Sequence, residues 1–321
     1  MEKTARPVAA IKKRRRHSKA VVRESIELYG LMLPVILVIL CFSYFPLFGI
    51  VIAFQDYQPG NGFFWGDIQW VGLKHFKEFI SSSLFPRLFG NTIRLSLKNL
   101  LFGFWVPIAF ALLLNELRHL RFKKFVQTAS YLPHFISTVV VAGMVLSFLR
   151  TDGLINSLYT VFGGTRTAFI NEANYFDTIY ILTNIWIAFG FDSILYLSAI
   201  SGIDPQLYES ARLDGASRLK QVWYITLPCI LPTIAILLIM AVGGMVSSNT
   251  DMILLLYNEA TYPKSDVIGT YVYRVGLGAD GTGGGQYSLG AAINLFSTTI
   301  NFCLLFLANK ISNKLTSYGM F

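Results

Sequence analysis

The amino-acid sequence predicts an all-α integral membrane protein with six transmembrane helices, and three observations carry that prediction. Apolar residues make up 54% of the 321 residues and charged residues 14%, against roughly 25% charged residues in soluble domains. Apolar stretches long enough to cross a bilayer recur along nearly the whole chain. The cations gather in the N-terminal tail and in alternate connections between those stretches.

A crossing helix needs about 20 mostly apolar residues. Six segments meet or approach that length: Tyr29–Phe54, Asn91–Leu114, Gln127–Leu149, Thr178–Ile200, Cys229–Ser248 and Ser288–Ala308. The tail holding Lys12, Lys13, Arg14, Arg15 and Arg16 precedes an apolar run too long for a signal-peptide core, and no small-residue cleavage site follows. The first helix is therefore expected to remain as an anchor. An even number of crossings places both chain ends on one side. Segments on the tail's side hold 18 of the 27 Lys and Arg and those on the other side 7, with Arg94 and Lys98 inside the second helix. The positive-inside rule makes the tail's side the cytoplasm. Cations so placed assign the net charge of +9 to anionic lipid, not nucleic acid.

The first external connection carries Phe63, Phe64, Trp65, Trp70 and Phe76, rings of the kind that collect where hydrocarbon meets headgroups. It reads as an interfacial re-entry, with protein docking as the sharper alternative. Pro34 and Pro46 mark the first helix, Pro107 the second, Pro133 the third and Pro232 the fifth. Such breaks are either packing kinks or the lining of a substrate path. Gly276, Gly278, Gly281, Gly283, Gly284 and Gly285 fill the last external connection, yet no Lys-Ser or Lys-Thr follows, so no phosphate loop is present. Cys41, Cys229 and Cys303 are far apart, and His17, His75, His119 and His134 are scattered. Neither a metal site nor a catalytic constellation is expected.

The connection from Asp204 to Pro228 reads as two short helices with a sharp break. Asp204 can cap the first and Pro205 fits its opening position. Leu207 and Ala211 share a face, Gly215 can take the left-handed conformation that ends the helix, and Ser217 can cap the second. Pro228 is expected to open the fifth crossing. By itself this chemistry suits either docking into a partner's groove or simple connection.

The spacing of Glu209-Ser210-Ala211, Gly215, Ile225 and Leu227-Pro228 resembles the "EAA" loop of permease subunits in binding-protein-dependent ABC importers, with Ser210 in place of the usual alanine. Phe48-Gly-Ile-Val-Ile-Ala-Phe-Gln-Asp-Tyr57, Trp70-Val-Gly-Leu-Lys-His-Phe76, Leu112-Leu-Leu-Asn-Glu116, Lys123-Lys-Phe-Val-Gln-Thr128, Tyr131-Leu-Pro-His-Phe-Ile-Ser137 and Gly269-Thr-Tyr-Val-Tyr-Arg-Val-Gly-Leu277 are similar to the LplB-type branch of carbohydrate permeases. The resemblance implies the type I importer permease fold and a bacterial cell membrane location. It divides the chain into a basic tail (1–28), the first helix with its external segment (29–90), a transmembrane domain (91–309) holding the coupling loop 204–228, and a second tail (310–321).

It also implies partners: a second homologous permease, two ATPase subunits that hold ATP and Mg, and an extracytoplasmic binding protein that delivers an oligosaccharide or polysaccharide. No cofactor or catalysis is expected on this chain. The residues implied in ATPase coupling are Glu209, Ala211, Asp214, Gly215, Ile225, Leu227 and Pro228. Polar groups at membrane depth are candidate substrate contacts: Asp192, Asn184, Trp186, Asn249, Asp251 and Asn294. For each the plainer alternative is a bond to a neighbouring helix. An ion-coupled transporter is the rival class, but it would more often show an internal repeat and buried coupling charges.

Overall fold

The computed structural model describes residues 19–60, 62, 64, 66, 68–247, 249–278, 285–316 and 318–320, with side chains from Ser25 onward. The tail cations Lys12 to Arg16, His17, Phe63, Trp65 and the glycines 281, 283 and 284 lie outside the described residues. Two compact units are present, Met1–Val51 and Ile52–Phe321. Along the chain, α1 (Lys19–Ile39) contains Pro34 and continues through a π turn, Leu40–Tyr44, into a 3-10 stretch, Phe45–Phe54, whose last residues belong to the second unit. Six helices among the described residues are long and apolar enough to cross a membrane: Ser25–Phe54, Phe85–Glu116, Thr138–Val161, Ala173–Ser201, Arg218–Gly243 and Tyr287–Thr316.

The second unit opens with a short antiparallel contact, Gln55 opposite Trp70, the one bridge among the described residues. It leads into α2 (Lys74–Ser81), where His75 Nε2 lies 3.1 Å from the Gln55 carbonyl and Phe76 packs its ring 5.5 Å from that of Phe54. Trp70 and Phe64 remain exposed.

The second crossing is α3 (Phe85–Gly103) followed by α4 (Trp105–Glu116), with Pro107 in the first turn of α4. The third crossing differs from expectation. Gln127 to Tyr131 belong to a separate amphipathic helix, α5 (Leu120–Tyr131), and the chain then makes a 3-10 turn over Leu132–Phe135. Pro133 has no N–H with which to continue the helical ladder. The hydroxyl of Ser137 accepts from Val140 N at 3.4 Å and starts α6 (Thr138–Leu149) afresh. A turn then leads to α7 (Leu154–Val161), so the membrane-length segment ends beyond the expected Leu149. Asn156 of α7 holds this turn by donating to the Arg150 and Thr167 carbonyls at 2.8 and 2.9 Å.

The fourth crossing, α8 (Ala173–Ser201), runs along α4. After it come α9 (Pro205–Leu213), α10 (Arg218–Gln221), α11 (Leu227–Gly243), α12 (Thr250–Leu256), α13 (Tyr262–Ser265), α14 (Ile268–Gly276) and α15 (Tyr287–Thr316). Three apolar clusters join them. One gathers Leu95, Val141, Phe176 and Met252, a second Phe79, Leu88, Ile268 and Ile293, and a third Ile108, Tyr196 and Ile230.

Helices in lipid gain no hydrophobic drive from meeting, so close backbone approach and polar contacts decide their packing. At Gly190 on α8 an added Cβ would run into the Ser130 carbonyl oxygen on α5. Gly190→Ala should therefore cost about 1–3 kcal/mol through forced separation of the two helices. A melting temperature of the detergent-solubilised protein equal to wild type would refute that contact.

Candidate functional site

The connection after α8 projects a complete, capped helix. Asp204 Oδ1 accepts from Gln206 N at 2.9 Å, and Pro205 occupies the opening position of α9. At the other end Gly215 takes φ +77°, which an L side chain resists. Gly215 N donates to the Arg212 carbonyl at 3.1 Å and Ala216 N to the Ala211 carbonyl at 2.8 Å. These paired bonds form a Schellman stop and satisfy carbonyls that the end of the helix leaves open.

No residue of α9 is buried. Leu213 is 89% exposed, and Leu207 is also exposed. Glu209, Arg212 and Asp214 are exposed and form no ion pair among the described residues. Tyr208 Oη lies 3.0 Å from Thr226 Oγ1 and ties α9 to the chain ahead of α11. Arg218 Nη1 donates to Glu116 Oε2 at 3.0 Å, anchoring the connection to the end of α4. Between these groups lies a notch of about 400 Å³, bordered by Asn115, Glu116, Tyr208, Glu209, Arg212 and Arg218.

Two local expectations are corrected here. Ser217 has the extended backbone of a cap, but its side chain makes no capping bond. The second short helix is not separate: α10 passes through a π turn, Val222–Thr226, directly into α11, so the fifth crossing begins at Arg218 and not at Pro228. The π turn alters the hydrogen-bond ladder just where Pro228 has no N–H to donate. Ile225 and Leu227 are half-buried at this junction, and Ala211 is half-buried on α9.

A second feature is an open cavity of about 480 Å³ among α3, α4, α8, α11 and the start of α12, within the range of small-molecule sites. It brings together three expected residues, Asn184, Asp192 and Asn249, and adds Asn99, His134 and Tyr196, which were not singled out. Asn249 Nδ2 donates to Asn184 Oδ1 at 3.1 Å, and Asn184 Nδ2 to the Tyr180 carbonyl at 2.9 Å. Asn249 Oδ1 accepts from Met252 N at 3.3 Å, capping α12. The His134 ring stacks on Phe191 with centroids 3.9 Å apart. Trp186, Asp251 and Asn294 do not border the cavity; all three are exposed elsewhere on α8, α12 and α15.

The cations within the second crossing have carboxylate partners. Arg94 Nε and Lys98 Nζ lie 3.1 and 2.7 Å from Asp177 Oδ2 at the start of α8. Arg87 and Arg274 converge on Asp266, whose side chain is wholly buried. Burial alone would lower the Arg274 guanidinium, but the hydrogen bonds and charge of Asp266 hold it above its ordinary value. Arg87, Asn91, Arg94 and Lys98 recur at helical spacing, so α3 presents one polar stripe.

Residues 100–317 match the family described as the binding-protein-dependent transport system inner membrane component. The chain belongs to that family. The permease is 43% identical over 295 residues to the polygalacturonan/rhamnogalacturonan transport system permease protein YteP of Bacillus subtilis strain 168, covering 92% of this chain and 90% of that one. It is 38% identical to the protein LplB of the same organism, covering 92% and 91%. A bacterial alginate ABC transporter, solved in complex with an alginate pentasaccharide-bound periplasmic protein, contains a chain that superposes with a TM-score of 0.82. That chain is 40% identical, with 93% of this chain and 98% of the other covered. Family and fold select the ABC importer permease over the ion-coupled transporter, and the six apolar helices make it a multi-pass membrane protein.

Proposed function

We propose that this permease forms half of the path by which an ATP-driven importer moves an oligosaccharide or polysaccharide across the bacterial cell membrane. The substrate class rests on the relatives' named substrates. The observation that carries the coupling role is α9: a capped, fully projecting helix whose charged groups face outward beside the base of α11. Its surface offers Glu209, Asp214 and the Gly215 turn to a cleft on a separate ATPase subunit, with Ala211, Ile225, Leu227 and Pro228 shaping its base. ATP and Mg belong to that subunit. Closure of two such subunits would tilt the crossings as rigid bodies and alternate access to the cavity.

Both termini and the α9 connection lie on the cytoplasmic side in this reading, supported by the distribution of Lys and Arg. The second homologous permease supplies the other wall of the path, since the cavity is open and Asp192 and His134 are exposed within it. An extracytoplasmic binding protein delivers the sugar. The test is uptake by vesicles that contain both permeases and the ATPases, with binding protein and labelled oligosaccharide outside. Accumulation should require internal ATP; accumulation without ATP would overturn the proposal.

A further inference from the structure

The cations around α5 differ from those of the crossings. Arg94, Lys98, Arg218 and Arg274 each contact a carboxylate. Arg118, Arg121, Lys123 and Lys124 form no ion pair among the described residues, and the sequence from Leu117 to Arg150 contains no Asp or Glu. We infer that α5 holds the phosphate headgroup of an anionic phospholipid, in the leaflet at the end of the bundle from which α9 projects.

The neighbours of α5 set its depth. It begins at Leu120, just after α4 ends at Glu116, and Arg218 ties that end of α4 to the α9 connection. Its other end packs on α8, where Ser130 is buried against Gly190. Arg121, Lys124, Phe125 and Thr128 are all exposed and recur at i, i+3, i+4 and i+7, so they share one outward face.

A soluble partner and a bilayer call for different surfaces. Here Phe125, 69% exposed, stands beside the two cations, and beyond Lys124 the exposed surface turns apolar through Ala129, Leu132 and Phe135, the last 73% exposed. Cations, then rings, then apolar side chains alone is the order a helix presents as it passes from headgroups into hydrocarbon. An acidic protein surface would match Arg121 and Lys124 but leave that apolar continuation uncovered. Guanidinium and ammonium groups give a phosphodiester oxygen charge-assisted hydrogen bonds, and their long stems let the charge reach the headgroup while the helix stays at the hydrocarbon edge. Each such cation near an anionic leaflet favours binding about fivefold.

The probe is a photoreactive p-benzoylphenylalanine in place of Phe125, in the complex of both permeases and the ATPases reconstituted into vesicles of one part phosphatidylglycerol to four parts phosphatidylcholine. Mass spectrometry of the irradiated permease identifies whatever covers this face. Phosphatidylglycerol adducts should exceed the membrane ratio by at least about fivefold and lose most of that excess in about 0.5 M salt. Arg121→Gln combined with Lys124→Gln should return the adducts to the membrane ratio, whereas Arg121→Lys combined with Lys124→Arg should keep the excess, all variants still co-purifying with their partners. Adducts to an ATPase or to the second permease, lipid adducts at the membrane ratio in the unsubstituted cluster, no adduct at all, or an excess unchanged by the paired Gln substitutions would each overturn the inference. The measurement needs neither sugar nor ATP, so its outcome is independent of the transport mechanism proposed above.

Discussion

A Glu209→Lys permease should insert and assemble its fold as wild type does, yet carry about 3% or less of wild-type ATP-driven uptake. Glu209 is exposed on a helix with no buried residue and has no ion-pair partner among the described residues, so its replacement disturbs little of the permease itself. Against a basic ATPase group the substitution turns an attraction into a repulsion. Loss of one partner from a buried interfacial charge pair costs about 2–5 kcal/mol, and the lower bound alone weakens docking about 30-fold.

Gly215→Trp tests the same surface by shape. An added Cβ at Gly215 meets nothing within 4 Å among the described residues, so an alanine there has room within the permease. The positive φ adds about 1–2 kcal/mol of local strain, and a Gly215→Ala control carries that strain without the bulk. Uptake should survive largely in Gly215→Ala and fail in Gly215→Trp, while the ATPase subunits continue basal hydrolysis. Normal uptake by both Glu209→Lys and Gly215→Trp vesicles would remove α9 from the coupling role.

The six crossings were legible because bilayer thickness sets a length that apolar runs must meet. The third was displaced because Gln127 to Leu132 continues an amphipathic pattern into the apolar run, and only Pro133 and Ser137 mark the break. The Schellman stop could be read from Gly215 because few residues tolerate positive φ. The π turn over Val222–Thr226 could not, since no residue type there demands one. Asp192, Asn184 and Asn249 drew attention as polar groups at membrane depth. Trp186, Asp251 and Asn294 satisfied the same criterion but project elsewhere, because residue type alone does not fix which face of a helix meets a cavity. Asn99 and His134 were not singled out because their cavity neighbours lie far along the chain. Arg94 and Lys98 pair with Asp177 across sequence separations of 83 and 79 residues.

Asp266→Ala should be the most damaging substitution away from α9. The wholly buried carboxylate accepts from Arg274 at 2.8 and 2.9 Å, from Arg87 at 3.1 Å and from Thr270 Oγ1 at 2.8 Å. Its removal leaves two guanidinium groups side by side, and the side chain of Arg274 is only 16% exposed. Breaking a buried ion network from one side costs about 3–5 kcal/mol because the surviving charge stays desolvated. The melting temperature in detergent should fall by about 5–15 °C. Combining Asp266→Asn with Arg274→Gln removes opposite charges together and should recover part of the loss; equal melting of the single and double variants would show that charge imbalance is not the cause. The effect should reach transport because α14 packs on both α3 and α12, and α12 is capped by Asn249, which borders the cavity. Loosening the ion network therefore moves a wall of the path without touching any residue that lines it.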